Sequence, residues 1–379
     1  MVKKTLLLLI TICMTVTLCA CGTQSLSAEK GTENFNDFTL TESWEMAYAK
    51  MYSVDQYGDY SMVNFGDGSH MLIIPEGKSE PDNLPENTVA VHKPLDNVYL
   101  VSSSAMDMIC QIDALGNIKM TGTKESDWYI DEALSAMQDG ALTYAGKYNQ
   151  PDYEMLLGNG CNLAIENTMI WHNPETKEKL EELGIPVIVE QSSYEEHPLG
   201  RLEWIKLYGL MFDKQAEADE FFQKEIHKAE QYTAENTTGK KVAFFYITAN
   251  GTVSVKKSGD YIPRIIGMAG GEYVPGSEEG DGSALSSVNM QFEEFYAECV
   301  DADIIIYNST TTGDVNSISD ILGKNQMLSD FKAVKEGNVY LSSANFYQKT
   351  TGICDMIKDV SIVVDGQDES ELRFLRRLQ

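Results

Sequence analysis

The sequence predicts an α/β protein in which two lobes are joined by one long α-helix. Between residues 98 and 189, short apolar strands alternate with helical segments, a pattern typical of a parallel sheet covered by helices. From residue 199 to about residue 235 the strands stop, and apolar side chains follow helical spacing. A second alternating set begins after the polar turn at residues 236–239. The predicted order is therefore lobe, helix, lobe.

Composition excludes some classes of function. The chain has 379 residues, of which 58 are Asp or Glu, 29 are Lys or Arg, and 43% are hydrophobic. This length predicts one large or two ordinary domains, and the hydrophobic share excludes a wholly disordered chain. The net charge of −29 argues against a basic surface for nucleic acid, so we expect no nucleic-acid partner.

Residues 1–20 have the pattern of a lipoprotein signal peptide. Lys3 and Lys4 precede an apolar run at residues 5–18, which as a helix would be about 20 Å long, too short for the ~30 Å core of a bilayer. Ala20 and Cys21 follow, which resembles the bacterial lipobox, so we expect Cys21 to carry the lipid. An ordinary cleaved signal peptide is the alternative.

Residues 21–43 are polar and predict a flexible tether between the lipid and the first lobe. The working protein is therefore expected outside the cytoplasm, anchored to the cell membrane by its N-terminal lipid. Four cysteines remain after Cys21, and they are far apart, without a C-x-x-C pair. Export permits disulfides, but we expect four free thiols, at Cys110, Cys161, Cys299 and Cys354.

The N-terminal lobe is predicted at residues 44–198. It opens with a β-hairpin, whose strands at residues 60–65 and 71–75 flank a turn with Gly66 and Gly68. Later elements follow from buried apolar runs and from helix start and stop signals, such as Pro174 at a helix start and Gly184 at its end. These elements are a strand at 98–101, a helix at 104–115, a strand at 162–165, a helix at 174–183 and a strand at 185–189.

Residues 199–236 form the predicted linker helix region. Its uninterrupted part, at residues 214–235, would be about 33 Å long, enough to cross a domain. The C-terminal lobe is predicted at residues 237–379. Its expected elements are a strand at 241–248, helices at 262–269 and 293–300, strands at 303–307 and 338–342, and closing helices at 353–364 and 371–378.

Common catalytic motifs are absent from the sequence. It contains no G-x-S-x-G, no H-E-x-x-H and no G-x-x-x-x-G-K-[ST]. The G-x-G pairs at Gly158 and Gly280 lack a third glycine and do not open helices, so neither indicates dinucleotide binding. With 58 acidic residues, a pair of carboxylates has no specificity as an acid/base signal. We therefore expect capture of a solute and no enzyme activity.

Six segments carry a resemblance to a known family. They are residues 98–107 (VYLVSSSAMD), Glu154 with residues 161–165 (CNLAI), residues 180–188 (LEELGIPVI), Gly270 with Gly271, residues 302–306 (ADIII) and residues 331–340 (FKAVKEGNVY). In this order and spacing, over about residues 50–345, they resemble the ABC-transporter solute-binding proteins with a single-helix hinge. Cys161 and Asn162 stand where that family usually has Pro-Asp.

Members of that family bind iron–siderophores, haem, cobalamin or metal ions. The resemblance implies two Rossmann-like α/β lobes joined by one long rigid α-helix, with the ligand cleft between the lobes. It also implies capture of an iron complex, a siderophore or haem, for delivery to an ABC permease dimer with its ATPase subunits. A corrinoid such as cobalamin, a sensory or surface lipoprotein with this fold, and an exported hydrolase are the alternatives. We expect a monomer with no resident cofactor.

Family members present one surface glutamate per lobe to arginines on the permease. By resemblance, Glu154 takes this role in the N-terminal lobe and Glu294 in the C-terminal lobe, with Glu293 as an alternative. The expected interaction is a charge-assisted pair that positions each lobe over its permease subunit.

The cleft is expected where the strands of both sheets end at their carboxyl edges. Large, flat or polarizable side chains concentrate in the predicted strand-end loops, and Arg201 and Lys257 add positive charge suited to an anionic chelate. The predicted ligand contacts are Trp128, Tyr129, Met169, Trp171, His172, Arg201, Lys257, Tyr261, Met290 and Tyr307.

Direct binding of a bare metal ion is less favoured than binding of an intact chelate. Only His172 and His197 fall in the expected loops, and a bare ion would need several converging histidines and carboxylates. For haem, His172, Met169 or a tyrosine could be the axial ligand. The identity of the chelate stays open.

Overall fold

The computed structural model describes residues 38–276, 287–309 and 315–379. The predicted signal peptide, Cys21 and most of the tether lie outside these residues. Within them, no helix combines the length and the apolar character that crossing a membrane requires.

A five-stranded sheet comes first in the chain, and its strands follow one another in space as in sequence. The predicted hairpin is confirmed as the antiparallel pair β3–β4, with Met62 opposite Leu72, and the last strand lies parallel to β4. The sequence predicted only this hairpin and not the surrounding sheet. The strands are β1 (Glu42–Ser43), β2 (Tyr52–Tyr57), β3 (Tyr60–Phe65), β4 (His70–Ile74) and β5 (Thr88–His92).

The N-terminal lobe contains a parallel sheet in the order β12-β11-β6-β7-β8. Its strands are β6 (Val98–Leu100), β7 (Ile118–Thr121), β8 (Thr143–Tyr144), β11 (Leu163–Asn167) and β12 (Val187–Glu190), and a small hairpin is formed by β9 (Gly146–Lys147) and β10 (Gln150–Pro151). Its helices are α1 (Ser103–Gln111), α2 (Asp131–Gln138), α3 (Tyr153–Gly158) and α4 (Pro174–Glu182).

The first helix of this lobe is shorter than the predicted segment at residues 104–115. It ends at Gln111, because Asp113 has a positive φ of 55°, which a helix cannot accommodate. Residues 115–117 form a separate short 3₁₀ turn before β7.

Three helices form the linker: α5 (Pro198–Glu203), α6 (Ile205–Met211) and α7 (Gln215–Tyr232). The last has 18 residues and is about 27 Å long, slightly shorter than the predicted helix at residues 214–235. Asp213, with a φ of 58°, separates α7 from α6. At Gly209 a Cβ atom would lie 2.8 Å from the Cβ of Ala218, so glycine lets α6 and α7 pack closely.

Two buried carboxylates fasten the beginning of the chain to the linker. Glu203 accepts hydrogen bonds from the backbone N–H groups of residues 47–49 at 2.8–3.0 Å. Glu195 accepts from the backbone N–H groups of residues 50 and 51 and from the indole N–H of Trp204. The N-terminal sheet is therefore joined to α5 by charge-assisted hydrogen bonds.

The C-terminal lobe has a mixed sheet in the order β16-β14-β13-β17-β18-β19, with β15 also beside β13. The strands are β13 (Lys241–Ile247), β14 (Val253–Lys256), β15 (Glu272–Val274), β16 (Ser287–Met290), β17 (Ile304–Tyr307), β18 (Val339–Ser342) and β19 (Leu375–Arg377). The helices are α8 (Tyr261–Met268), α9 (Phe292–Cys299), α10 (Ile318–Lys324), α11 (Lys332–Glu336) and α12 (Ile353–Asp365).

The predicted closing helix at residues 371–378 is wrong. Residues 375–377 instead form β19, antiparallel to β18, with Arg376 opposite Leu341. The Asp359 carboxylate accepts the backbone N–H groups of residues 373–375 at 2.6–3.0 Å and so holds this segment extended. The other closing helix is confirmed as α12.

The four described cysteines are free thiols, as expected. Cys161, Cys299 and Cys354 are buried, whereas Cys110 is half-buried. Burial raises the pKa of Cys110 to about 12 and that of Cys161 to about 11, so both are neutral thiols of low reactivity.

Candidate functional site

A cavity of about 270 Å³ lies at the carboxyl ends of strands from both lobes. The N-terminal lobe lines it with residues that follow β6, β11 and β12, and the C-terminal lobe with residues at the end of β14 and the start of α8. The lining includes Ser102, Ser103, Ser104, Met169 and Glu190 from the N-terminal lobe, Arg201 from the linker, and Lys256, Asp260, Tyr261 and Tyr347 from the C-terminal lobe.

Arg201, on α5, is the most distinctive group in this cavity. It is only 6% exposed, and its guanidinium carbon lies 4.2 Å from the centre of the Tyr261 ring. Within the described parts of the chain, its guanidinium makes no hydrogen bond and no ion pair. A buried guanidinium with five unsatisfied donors favours an anionic guest.

Both carboxylates in the cavity already have partners. Glu190 accepts hydrogen bonds from the hydroxyl of Ser102 at 2.9 Å and from the backbone N–H of Ser192 at 2.8 Å. Asp260 accepts from the backbone N–H of Ile262 at 2.8 Å, which caps α8, and its other oxygen lies 3.2 Å from Nζ of Lys256. Lys256 is therefore balanced by Asp260, whereas Arg201 has no carboxylate partner among the described residues.

The cavity brings together three of the predicted ligand contacts: Met169, Arg201 and Tyr261. Tyr129 and Met169 are half-exposed. Lys257 does not line the cavity, and its neighbour Lys256 does, because one step along the chain turns a side chain to another side.

The remaining predicted contacts lie elsewhere. Trp128 is buried in the core that the N-terminal lobe shares with the linker, and Tyr307 is buried in the C-terminal core, where its hydroxyl accepts the Ile247 N–H. Met290 packs half-buried against that same core. His172 is exposed before α4, outside the residues that line the cavity.

Trp171 lines a second cavity of about 480 Å³ between the N-terminal sheet and α4, and its ring centre lies 5.5 Å from that of Tyr194.

Sequence reasoning did not single out Glu190, Lys256, Asp260 or Tyr347. Asp260 could have been found from its place directly before an apolar helix, the usual position of a capping residue. Glu190 ends a buried strand, where a carboxylate needs a specific partner, and that signal was also available.

Hydrogen bonds join the lobes beside the cavity. The Gln348 side chain accepts the Tyr129 N–H at 2.9 Å and donates to the Asp127 carbonyl oxygen at 2.8 Å. Asp107 of the N-terminal lobe accepts from the backbone N–H and the hydroxyl of Thr351 at 2.8 and 2.6 Å. The Thr350 hydroxyl also donates to the Ser104 carbonyl oxygen at 3.2 Å. Residues 348–351, named here the inter-lobe clasp, therefore contact the N-terminal lobe at three places.

The described residues contain no group of three or more His, Cys, Asp and Glu side chains that could hold a metal ion. His197, a residue of the expected loops, stacks on Tyr48 with ring centres 4.7 Å apart, and its Nδ1 accepts the Leu199 N–H. Burial, with Arg264 and Lys50 nearby, lowers the pKa of His197 to about 4, so it is neutral at pH 7.

The two predicted docking glutamates are exposed. Glu154 lies in the first turn of α3 and Glu294 in the first turn of α9. Carboxylates are favoured in the first turn by the helix dipole, so their position alone does not distinguish docking from helix stabilisation.

Comparison with known proteins identifies the family. The family model described as "Periplasmic binding protein" matches residues 108–345, more than half of the chain. An uncharacterized lipoprotein of Methanocaldococcus jannaschii is 25% identical over 304 residues, which cover 75% of this chain and 70% of the relative.

Solved structures share the fold at low sequence identity. A periplasmic heme binding protein from Pseudomonas aeruginosa superimposes with a TM-score of 0.57 at 14% identity, over 75% of this chain and 98% of that one. The molybdate-binding protein of a Haemophilus influenzae ABC transporter gives 0.56 at 14% identity, over 73% and 88%. Together with the two-lobed α/β architecture, the family match shows that the chain belongs to the periplasmic binding proteins, a class of solute-binding proteins.

Proposed function

We propose that this protein captures an iron complex, a ferric siderophore or haem, outside the cytoplasm and delivers it to the permease of an ABC importer. The observation that carries the proposal is that both lobes line the cavity. Ser104 belongs to one lobe and Tyr261 to the other. A ligand that contacts both lobes stabilises one arrangement of them, which a permease can distinguish from the empty protein.

The anionic character of many chelates fits the cavity. Arg201 supplies a guanidinium without a carboxylate partner among the described residues, in a chain whose net charge is −29. At about 270 Å³ the cavity is slightly smaller than most sites for complete small-molecule ligands. In this arrangement of the lobes it therefore accommodates one part of a chelate, while the rest extends past the half-exposed side chain of Met169.

Recognition of an intact complex is favoured over recognition of a bare ion. Where the structure describes the chain, histidines and carboxylates do not converge as a metal site requires, and His197 is engaged by Tyr48 and Leu199. The protein needs no resident cofactor and no catalytic group for this role. A corrinoid is the second candidate, because the half-exposed Met169 and the aromatic Tyr261 and Tyr347 in the lining would suit a largely apolar ring.

The lipid anchor belongs to the same proposal. A lipid on Cys21, with the polar residues after it as a tether, would hold the protein at the cell membrane beside its permease. Support comes from the M. jannaschii relative, which is named a lipoprotein. Exposed Glu154 and Glu294 would each meet an arginine of the permease dimer, one per lobe.

Titration of the purified protein with haem, ferric siderophores and cobalamin tests the proposal. Absorption spectra follow the ligand. Tryptophan fluorescence, recorded in the same titration, follows the protein, since Trp128 and Trp171 both belong to the N-terminal lobe. We expect one iron complex to bind with a saturable change. Binding of cobalamin alone would favour the corrinoid candidate, and no change with any of these compounds would contradict both.

A further inference from the structure

We infer that the amino-terminal end of α1 and the guanidinium of Arg201 together form an oxyanion subsite. The subsite would take a carboxylate or a similar oxygen-bearing anionic group of the ligand. The inference rests on the proposed function of the same cavity. It specifies the chemical group that the ligand must present there and the protein atoms that this group contacts.

The first turn of α1 has free backbone donors. Ser102 precedes the helix, but its side chain does not cap it, and its hydroxyl donates to Glu190 at 2.9 Å. The backbone N–H groups of Ser103 and Ser104 have no acceptor in the described parts of the chain. Such donors, together with the positive end of the helix dipole, attract anions.

The other helix that starts at this cavity differs from α1. In α8 the Asp260 carboxylate accepts the Ile262 N–H at 2.8 Å and fills the position where an anion would bind. The structure thus closes one helix terminus with its own carboxylate and leaves the other open. The open terminus, the amino-terminal end of α1, lines the same cavity as Arg201.

Arg201 provides the second, independent observation. Its side chain is 94% buried, since only 6% of its surface is exposed, and it has neither a carboxylate nor a carbonyl partner among the described residues. The Tyr261 ring lies against it at 4.2 Å and restricts where the guanidinium can go. A guanidinium in this state is suited to a bidentate contact with a planar carboxylate.

The volume of the cavity limits the guest to a small group, and the unpaired guanidinium of Arg201 favours an anionic one. A cavity of about 270 Å³ is too small for a macrocycle but large enough for a carboxylate and the atoms that carry it. Glu190 is held by Ser102 and Ser192, and Asp260 by Lys256 and the α8 terminus, so neither competes for Arg201.

The first experiment varies the ligand. The full chain is titrated with haem and with haem dimethyl ester, whose propionate carboxylates are blocked, and with ferric citrate. Inorganic phosphate and molybdate are titrated separately to distinguish a free oxyanion from a carboxylate on a chelate. We expect at least one carboxylate-bearing chelate to bind, and blocking its carboxylates to weaken binding by roughly 10- to 100-fold. Tight binding of a free oxyanion alone would support the subsite, but it would identify the ligand as the oxyanion instead of a chelate.

The second experiment varies the protein. Ser103→Pro removes one backbone N–H at the first position of α1, where proline is tolerated, and Ser102 already has the extended conformation that a following proline requires, with φ −72° and ψ 103°. Ser103→Ala keeps the N–H and is its matched control. Arg201→Gln removes the guanidinium, and Arg264→Gln, at an exposed arginine of α8, is its control.

We expect Ser103→Pro to bind the anionic ligand several-fold more weakly than Ser103→Ala, and Arg201→Gln to bind it roughly 10- to 100-fold more weakly than Arg264→Gln. Thermal unfolding of each variant confirms that it folds. Equal affinities within both pairs, in a protein that binds a chelate, would overturn the subsite and leave the proposed function intact. Failure of every chelate and oxyanion to bind the unchanged protein would overturn both.

Discussion

The guanidinium of Arg201 lies 4.2 Å from the centre of the Tyr261 ring. The two residues come from different parts of the fold, α5 of the linker and α8 of the C-terminal lobe. Burial raises the pKa of the Tyr261 phenol, so it is neutral at physiological pH and the ring faces the cation as a π surface. This contact places a guanidinium without an ion-pair partner at the boundary between the lobes.

Tyr261→Leu should weaken binding of an anionic ligand, because the guanidinium loses the ring that restricts its position. A cation–π contact of about 1–2 kcal/mol corresponds to roughly 5- to 30-fold in affinity. Tyr261→Phe keeps the ring and is the matched control, for which we expect near-normal affinity. The measurement is a fluorescence titration, and equal losses in the two variants would show that the hydroxyl matters and the ring does not.

Gln348→Ala should loosen the arrangement of the two lobes. Its amide makes two hydrogen bonds to the backbone of residues 127 and 129, each worth about 1 kcal/mol. Spin labels on exposed Lys119→Cys and Asn289→Cys report the distance between lobes. We expect a broader distance distribution than for Gln367→Ala, a glutamine on the surface. An unchanged distribution would show that the two hydrogen bonds of Gln348 do not limit lobe motion.

Glu154→Gln combined with Glu294→Gln should abolish most ligand uptake by cells while leaving ligand affinity unchanged. Both side chains are exposed and neither lines the cavity, so their loss should leave the ligand contacts intact while removing a charged contact with another protein. The control is the pair Glu178→Gln and Glu298→Gln, also exposed on helices of the two lobes. Reduced affinity of the purified double variant, or full uptake, would contradict a docking role.

Glu203→Gln should destabilise the fold by about 1–3 kcal/mol. The buried carboxylate accepts three consecutive backbone N–H groups at residues 47–49, and a glutamine amide has only one oxygen to offer them. Urea denaturation gives the free energy of unfolding, with exposed Glu178→Gln as the control. A change no larger than in the control would mean that water replaces these bonds without cost.

Glu166 should make stability fall between about pH 5 and pH 8. The side chain is fully buried, both carboxylate oxygens lack a hydrogen-bond partner among the described residues, and burial raises its pKa to about 8 from an ordinary 4.5. Because the folded pKa is raised, the protonated native form contributes stability below about pH 4.5, and this contribution is lost as the pH rises through about 8.

Glu166→Gln should remove this dependence, which is at most about 3 kcal/mol at pH 7. The free energy of unfolding of both proteins is measured in urea at pH 5 and pH 8. Parallel pH profiles for the variant and the unchanged protein would contradict a neutral Glu166 in the native state.

Most of the α/β framework could be predicted from the sequence, because buried parallel strands such as β11 and β12 are short apolar runs between recognisable helix signals. The extended conformation of the last segment, residues 375–377, could not be predicted. Its extended shape depends on Asp359, which lies on α12 and holds the backbone of residues 373–375 by long-range hydrogen bonds. Most of the N-terminal sheet also went unpredicted, since only its hairpin has a strong local signal.

The cavity was predictable as a set of loops but not as a set of side chains. The strand-end rule gave the loops around Arg201 and Tyr261, yet it selected Lys257 where Lys256 lines the cavity. Trp128 and Tyr307 were selected as large aromatic surfaces, and the structure buries them in its cores, where their apolar area contributes more to stability. Sequence alone does not tell which way a side chain points at the end of a strand.

Hydrogen–deuterium exchange, with and without a saturating bound chelate, tests most directly whether one ligand contacts both lobes. We expect slower exchange at residues 102–105 and 167–169 of the N-terminal lobe and, in the same sample, at residues 256–261 of the C-terminal lobe. Protection confined to one lobe, or to a surface away from Arg201, would contradict binding in the cavity between the lobes.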